Sequence, residues 1–406
     1  MEIKIVDAIM GAGKTSAAIN YINSSDTSTK FLYITPYIRE VGRIKMSCTS
    51  KKFKEPQIMG NKLNGIRYLL NKGENVVSTH ALFRYFNKEI IDICRAQNYV
   101  LIMDEVAEVI SEYEISKDDL ETILEKYAYV DEKTKLIKWK DADYKGKFDE
   151  EHRLCDLDCL AMYGDSVMMW LFPISTFQAF RQIYVLTYMF DAQLQNYYYN
   201  YYGVSYEYWY VDGNDLNSYR FTKDIKHYEN PTLDFRSLIH IEENEKLNMI
   251  GDTKYDLSKN WYARNSGNRA MKQLKNNLIN WFCNIRKTKT TMNIWTCFKD
   301  YKAELRGKGY TRGFLSLNAR STNEYRDRTS VAYPVNRFLN SFVKNFFLQN
   351  NIEVNEDRYA VSEMLQFIWR SAIREGKEIW VYIPSSRMRS LLKEWIEENS
   401  RQSEVA

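Results

Sequence analysis

No apolar run in the sequence approaches the ~20 residues needed to cross a bilayer. Its first apolar stretch is cut short by Asp7 and a glycine loop, so it has no signal-peptide pattern. A cytoplasmic location with no membrane partner is therefore expected. Cysteine is sparse: six are scattered through 406 residues, and only Cys155 and Cys159 are close. No second Cys or His pair follows at zinc-site spacing, so packed thiols are expected. Neither sign of charge dominates. The net charge of +4 permits a nucleic-acid partner without demanding one. With 45% hydrophobic residues over this length, a globular chain of two or three domains with ample core is expected.

What is present begins at residue 3. Ile3, Ile5 and Val6 lead into Gly11-Ala12-Gly13-Lys14-Thr15, and then into small and apolar residues suited to a helix. Strand, glycine turn and helix form the context in which a phosphate-binding loop has meaning. Backbone N–H groups close round an anion there, and the helix presents its positive end to it. Ala8, Gly11, Ala12, Gly13, Lys14, Thr15 and Ser16 are the expected nucleotide-binding residues. Lys14 would reach the β- and γ-phosphates, and the Thr15 hydroxyl would hold Mg²⁺. Ala8 stands where the strict pattern asks for Gly. The plain alternative is a glycine turn with a solvated lysine.

A second apolar run, Tyr99 to Met103, delivers Asp104 and Glu105 at its end. Beside a phosphate loop, the first carboxylate positions Mg²⁺ and the second polarises the attacking water. Between these stretches, Phe31 to Pro36 reads as a buried strand handing over to a basic helix with Arg39, Arg43 and Lys45. Such an end offers an amide, a hydroxyl and cations to a phosphodiester. Asn75 to Thr79 is another strand ending in hydroxyls, with His80 beside it read as structural. Residues 108–171 do not alternate like a parallel-sheet unit and read as an insertion, with a hairpin around Val130 to Trp139. Tyr206, Tyr208 and Tyr210 alternate as on a half-exposed strand, a structural role favoured over the stacking on unpaired bases that such rings also allow.

A polar stretch from Val211 to Lys223 marks a lobe boundary. Beyond it, strands are expected at 291–298, 313–317, 329–333 and 378–384, a pattern of alternating strands and helices that suggests a parallel sheet covered on both faces. Gln366, Arg370 and Arg374 lie four residues apart and so share one face of an expected helix over 362–374. Arginines held in a row suit phosphate, because the guanidinium fork is planar and always charged.

With these stretches in hand, the chain resembles superfamily 2 helicases, and most of all the compact, phage-encoded members. Ala8 to Thr15 is similar to the first motif, which often opens with Ala. Thr35-Pro36 with Arg39, and Ser78-Thr79, resemble the next two. Asp104-Glu105-Val106-Ala107 stands at the DExx box, and Leu186-Thr187-Tyr188 replaces Ser-Ala-Thr. Ala319 to Asn323 falls at the fifth motif, and Gln366 to Arg374 resembles the sixth, its second arginine one residue further on.

The resemblance implies an α/β fold of two RecA-like P-loop lobes with parallel sheets and insertions in both. Residues 1–212 would form the first lobe, with an insertion at about 108–175, and residues 213–406 the second, with a variable region at about 213–285. ATP with Mg²⁺ would be hydrolysed between them. Lys14, Glu105, Gln366, Arg370 and Arg374 would be catalytic, and Thr15 and Asp104 would hold the metal. Thr35, Pro36, Arg39, Ser78, Thr79, Arg320, Thr322 and Asn323 would face nucleic acid. The implied activity is an ATP-dependent helicase or translocase, with DNA favoured over RNA, in replication, recombination or repair. It would work in the host cytoplasm alongside replication or recombination proteins. Two alternatives stand beside it. One is an ATP-gated remodeller or annealing factor that does not unwind. The other is a packaging-type motor, which would bring an acid-rich nuclease domain where residues 216–406 offer arginines.

Overall fold

The computed structural model describes residues 1–224, 234–317 and 324–402. The chain divides into two compact units. The first comprises Met1–Ile9, Gly13–Ile225 and Asn340–Val354; the second comprises Met10–Ala12, Lys226–Leu339 and Asn355–Ala406. Both are α/β with parallel sheets, the fold class expected. No helix among the described residues is long and apolar enough to cross a membrane.

The first unit is built on strands β1 (Glu2–Asp7), β2 (Phe31–Thr35), β3 (Phe53–Lys54), β4 (Asn75–Thr79) and β5 (Val100–Asp104). Three short insertion pieces come next: β6 (Ile110–Glu112), β7 (Ala128–Val130) and β8 (Ile137–Trp139). Then come β9 (Leu160–Tyr163), β10 (Val167–Leu171), β11 (Gln182–Thr187), β12 (Glu207–Asp212) and β13 (Arg220–Thr222). Eight of them make one sheet in the order β13-β12-β1-β11-β5-β2-β4-β3. All its pairings are parallel except the edge hairpin β12–β13. The inner strands β2 and β5 are buried at every residue, which is why they read as unbroken apolar runs rather than alternating ones.

The insertion forms a three-stranded antiparallel sheet, β6-β10-β9, and the expected hairpin, β7–β8. Its buried side chains, Cys155 and Cys159 among them, join the core of the large sheet. The tyrosines after β11 are packing groups: Tyr197, Tyr198 and Tyr199 are buried on the helix Leu194–Tyr201, and Tyr198 Oη donates to Phe172 O at 2.6 Å. A distant segment completes this core. On the helix Ser341–Gln349, Val343, Phe346 and Phe347 are buried, and the Phe347 ring centre lies 5.8 Å from that of Tyr197.

In the second unit, β14 (Ile239–Ile241), β15 (Asn293–Trp295), β16 (Ser330–Ala332) and β17 (Ile379–Tyr382) pair in parallel in the order β14-β17-β16-β15. The strand expected at 313–317 shrinks to a single bridge between Phe314 and Trp295. Gly313 explains the close approach: a Cβ there would meet the Asn293 carbonyl oxygen at 2.1 Å.

Phe347→Ala should destabilise the first unit by about 3–5 kcal/mol, the usual cost of deleting a fully buried phenyl ring. Urea unfolding checks this, and a loss below about 1 kcal/mol would remove residues 340–354 from that core.

Candidate functional site

Five adjacent strands of the first unit end in polar residues along one edge, and the register shows how they align. Asp7 of β1 is paired with Thr187 of β11, and Leu186 of β11 with Asp104 of β5. Ile34, one residue before Thr35, is paired with Met103, one residue before Asp104. Thr35 of β2 is paired with Thr79 of β4. In open parallel sheets this carboxyl edge is where ligands bind, because loops diverge there and leave a crevice.

The glycine loop leaves β1 at this edge. Ala8 N donates to Thr187 O at 3.0 Å, anchoring the start of the loop. Gly11 and Gly13 have φ of +94° and +84°, a region that L side chains rarely adopt. Helix α1 (Lys14–Ser24) then starts without any side-chain cap on its first amides. Those amides are donors available to an anion. Thr15 and Ser16 are half-buried on its first turn, and Lys14 folds back so that Nζ donates to Ala8 O, and to Ile9 O at 3.1 Å. A lysine satisfied by its own loop's carbonyls has donors to transfer to a phosphate.

Electrostatics ties the loop to β5. Burial and the neighbouring Glu105 push the Asp104 carboxyl up to about 7, while Arg43 and Lys14 pull it down. Burial likewise pushes Asp7 up to about 6, against two backbone amides and Lys14. Lys14 therefore acts on both strand-end carboxyls. The adjoining Glu105 has φ of +74°, held by donation from its amide to Leu186 O at 2.9 Å. Such strain in a non-glycine residue is typical of functional positions. His80 Nε2 donates to the Asp104 backbone oxygen at 3.0 Å, bracing the same strand end. Ala107 N donates to Gln195 Oε1 at 2.8 Å.

Asp7 is the residue whose part in the site sequence reading missed. Its two carboxylate oxygens accept from Met189 N and Phe190 N, each at 2.9 Å, and so clamp the turn after β11. The signal lay in its position, an acid ending a buried strand just before the loop. The Thr35, Thr187 and Tyr33 hydroxyls are buried at or near the same edge and find no hydrogen-bond partner among the described residues. Unsatisfied buried donors need an explanation, and a polar ligand or ordered water at this edge would supply one. The donors fit Mg²⁺: one hydroxyl and one carboxylate suffice where phosphates provide the rest.

Of the expected nucleic-acid residues, Thr35 and Ser78 are buried, and Thr79 Oγ1 caps the helix His80–Phe83. Pro36 is half-buried and Arg39 is exposed in the first turn of the helix Ile38–Ser47. Arg320, Thr322 and Asn323 lie outside the described residues.

In the second unit, the expected helix through Gln366, Arg370 and Arg374 is corrected. The helix Glu356–Ile368 holds Gln366, buried, with its Nε2 unsatisfied among the described residues. It stops before Arg370, and Arg374 lies on a separate 3₁₀ turn, Ala372–Glu375. Two bonds break the spacing: Ser371 Oγ donates to Ile368 O at 2.6 Å, and Ala372 N donates to Arg328 O at 2.8 Å. Arg370 is buried and Arg374 half-buried, so the two do not share a helix face.

Known proteins resemble this chain in sequence and in fold. A family model described as the YonV C-terminal Rossmann-like domain matches residues 233–396, and one described as the YonV middle domain matches residues 110–170. The SPbeta prophage-derived uncharacterized protein YonV of Bacillus subtilis (strain 168) is 42% identical over 409 residues, covering 97% of this chain and 98% of its own. The solved structure of S. tokodaii Xpd4 aligns with a TM-score of 0.51 at 12% identity, over 97% of this chain and 94% of its own. An XPD helicase structure aligns over the same shares at 12% identity with a TM-score of 0.47. The likeness to Xpd4 is one of fold.

Both raised carboxyls make the same stability prediction. An unfolded Asp titrates near 3.8, so the fold favours the protonated forms. That stability is complete below pH 4 and is lost as pH rises through about 6 for Asp7 and about 7 for Asp104. Asp104→Asn should therefore raise the thermal midpoint of the ligand-free protein at pH 8, by about 2–4 °C per kcal/mol regained. The gain should shrink towards pH 5. A midpoint lowered at pH 8 would show that the ionised carboxylate is structural.

Proposed function

The chain belongs to the YonV family, and from its site we propose that it is an ATP-dependent helicase or translocase of the DExx type. Its favoured substrate in this reading is DNA, in replication, recombination or repair. The observation that carries the proposal is Lys14: on a glycine loop at a helix start, it stands at the same sheet edge at which β5, one strand beyond β11, ends in Asp104.

In this reading the amides of the loop from Gly11 and the first turn of α1 bind the phosphates. Lys14 exchanges the Ala8 and Ile9 carbonyls for phosphate oxygens. Thr15 and Asp104 would hold Mg²⁺, which supplies neutralisation of charge on the phosphates. Glu105 orients and polarises the attacking water. Gln366 and either Arg370 or Arg374 serve the transferring phosphoryl group. The loops that leave β2 and β4, with Arg39, grip the nucleic-acid backbone.

The test compares ATP hydrolysis with and without single- and double-stranded DNA and RNA, and then strand displacement. Hydrolysis should be stimulated by nucleic acid, most by DNA. Glu105→Gln should lower kcat about 10²- to 10⁴-fold, as expected for loss of a general base. Lys14→Ala should abolish it. If both variants keep stimulated hydrolysis, the site assignment is wrong. Hydrolysis without strand displacement would favour the remodeller.

Arg370→Ala and Arg374→Ala separate the two arginines. The one that acts as the finger should cost about 10³-fold or more in kcat with nucleotide affinity retained. Equal, small effects would remove the role from both.

Acid should also weaken the site. Metal binding competes with the proton on Asp104, so affinity for Mg²⁺–nucleotide should fall about tenfold per unit below pH 7. A flat profile from pH 8 to 5 would take Asp104 out of the metal site.

A further inference from the structure

The hairpin β12–β13 lies at the edge of the large sheet, with β12 in parallel register against β1. Its turn therefore emerges at the same end of the sheet as the glycine loop. Within the turn, the Asp215 carboxylate accepts from Asn217 N at 2.8 Å and from Ser218 N at 3.1 Å. The turn is also tied to α1: Asn20 Nδ2 donates to Leu216 O at 3.0 Å and to Tyr219 O at 2.9 Å. These bonds fix Tyr219 beside the first two turns of the helix.

The Tyr219 ring reaches the loop itself. A Cβ on Gly13 would lie 2.4 Å from Tyr219 Cε1 and 2.5 Å from its Cδ1, so the ring rests where any larger residue would clash. Gly13 is thus required twice, by its backbone conformation and by this ring. Other aromatic groups nearby are committed to each other: Tyr184 stacks on Phe221 at 5.0 Å, and Tyr21 packs against both. Tyr219 pairs with no other ring among the described residues and is half-buried, which leaves ring surface for a further partner. The buried Thr187 hydroxyl, unsatisfied among the described residues and paired in register with Asp7, independently marks this strand edge as made for a ligand.

We propose that Tyr219 is the stacking platform for the base of the bound nucleotide. The inference rests on the nucleotide-binding reading above and adds the residue that holds the non-phosphate end. A planar base stacks on an aromatic ring with little regard to its identity, since every base has a π-face. Phosphates on the α1 amides place the rest of the nucleotide within reach of a ring that touches Gly13.

The experiment is calorimetric titration of the full chain with a non-hydrolysable ATP analogue and, separately, with inorganic tripolyphosphate, both with Mg²⁺. Tyr219→Ala and Tyr219→Leu should weaken the ATP analogue about 5- to 100-fold. Neither should change tripolyphosphate binding, and Tyr219→Phe and Tyr219→Trp should bind like the wild type. Tyr219→Leu keeps apolar packing on Gly13 without a π-face, so it separates stacking from loss of loop structure. Equal losses on both ligands, or undiminished binding of the ATP analogue, overturns the platform while leaving the phosphate site intact. A wild-type chain that binds neither ligand overturns the nucleotide reading and this inference together.

Discussion

Two strand-end carboxyls whose charge burial opposes, with Lys14 acting on both, are the constraint on which this edge of the first unit depends. Asp7 and Asp104 end strands separated only by β11, and each lies where burial opposes its charge. The Phe190 and Met189 amides and Lys14 lower that cost at Asp7, and Arg43 and Lys14 lower it at Asp104, yet both carboxyls stay above the ordinary carboxylate range. A site built this way is poised for more positive charge than the chain supplies. The left-handed Glu105 and the hydroxyls of Thr35 and Thr187, unsatisfied among the described residues, gather at the same edge.

Much of this was legible in sequence, because the signals are local. A buried strand in a parallel sheet is an unbroken apolar run, and the residues next after it in the chain stand at its end in space. Ile3 to Thr15 and Tyr99 to Glu105 could therefore be read as a strand with the residues at its end. The fold class came from the same alternation. The role of Asp7 was not legible, because it depends on a turn more than 180 residues away whose amides it accepts. Tyr219 escaped for a like reason: its contact with Gly13 arises from strand order, which no local pattern encodes.

Periodicity failed where tertiary bonds overrode it. Gln366, Arg370 and Arg374 have ideal helical spacing, but the Ser371 hydroxyl and the Arg328 carbonyl capture the backbone just after Ile368. Spacing of four is only a statement about a face if the helix continues. The reduction of the 313–317 strand to one bridge is the converse case. There an apolar run was present, but the close approach at Gly313 supports pairing at Phe314 alone. The strands at 110–171 pair antiparallel, apart from the parallel pattern, but their sharing of one core with the main sheet was invisible in sequence, since that sharing depends on long-range packing.

The helix Ser341–Gln349 has a consequence for how the molecule is made. The first unit's core draws Phe346 and Phe347 from a point late in the chain, after most of the second unit's strands have been written. The part of that core filled by Val343, Phe346 and Phe347 can close only once the chain has been made as far as this helix. Contacts between residues so far apart in sequence slow folding and lengthen exposure to aggregation. A cut at the sequence boundary between the halves would make the delay permanent, so neither half is a natural unit of expression.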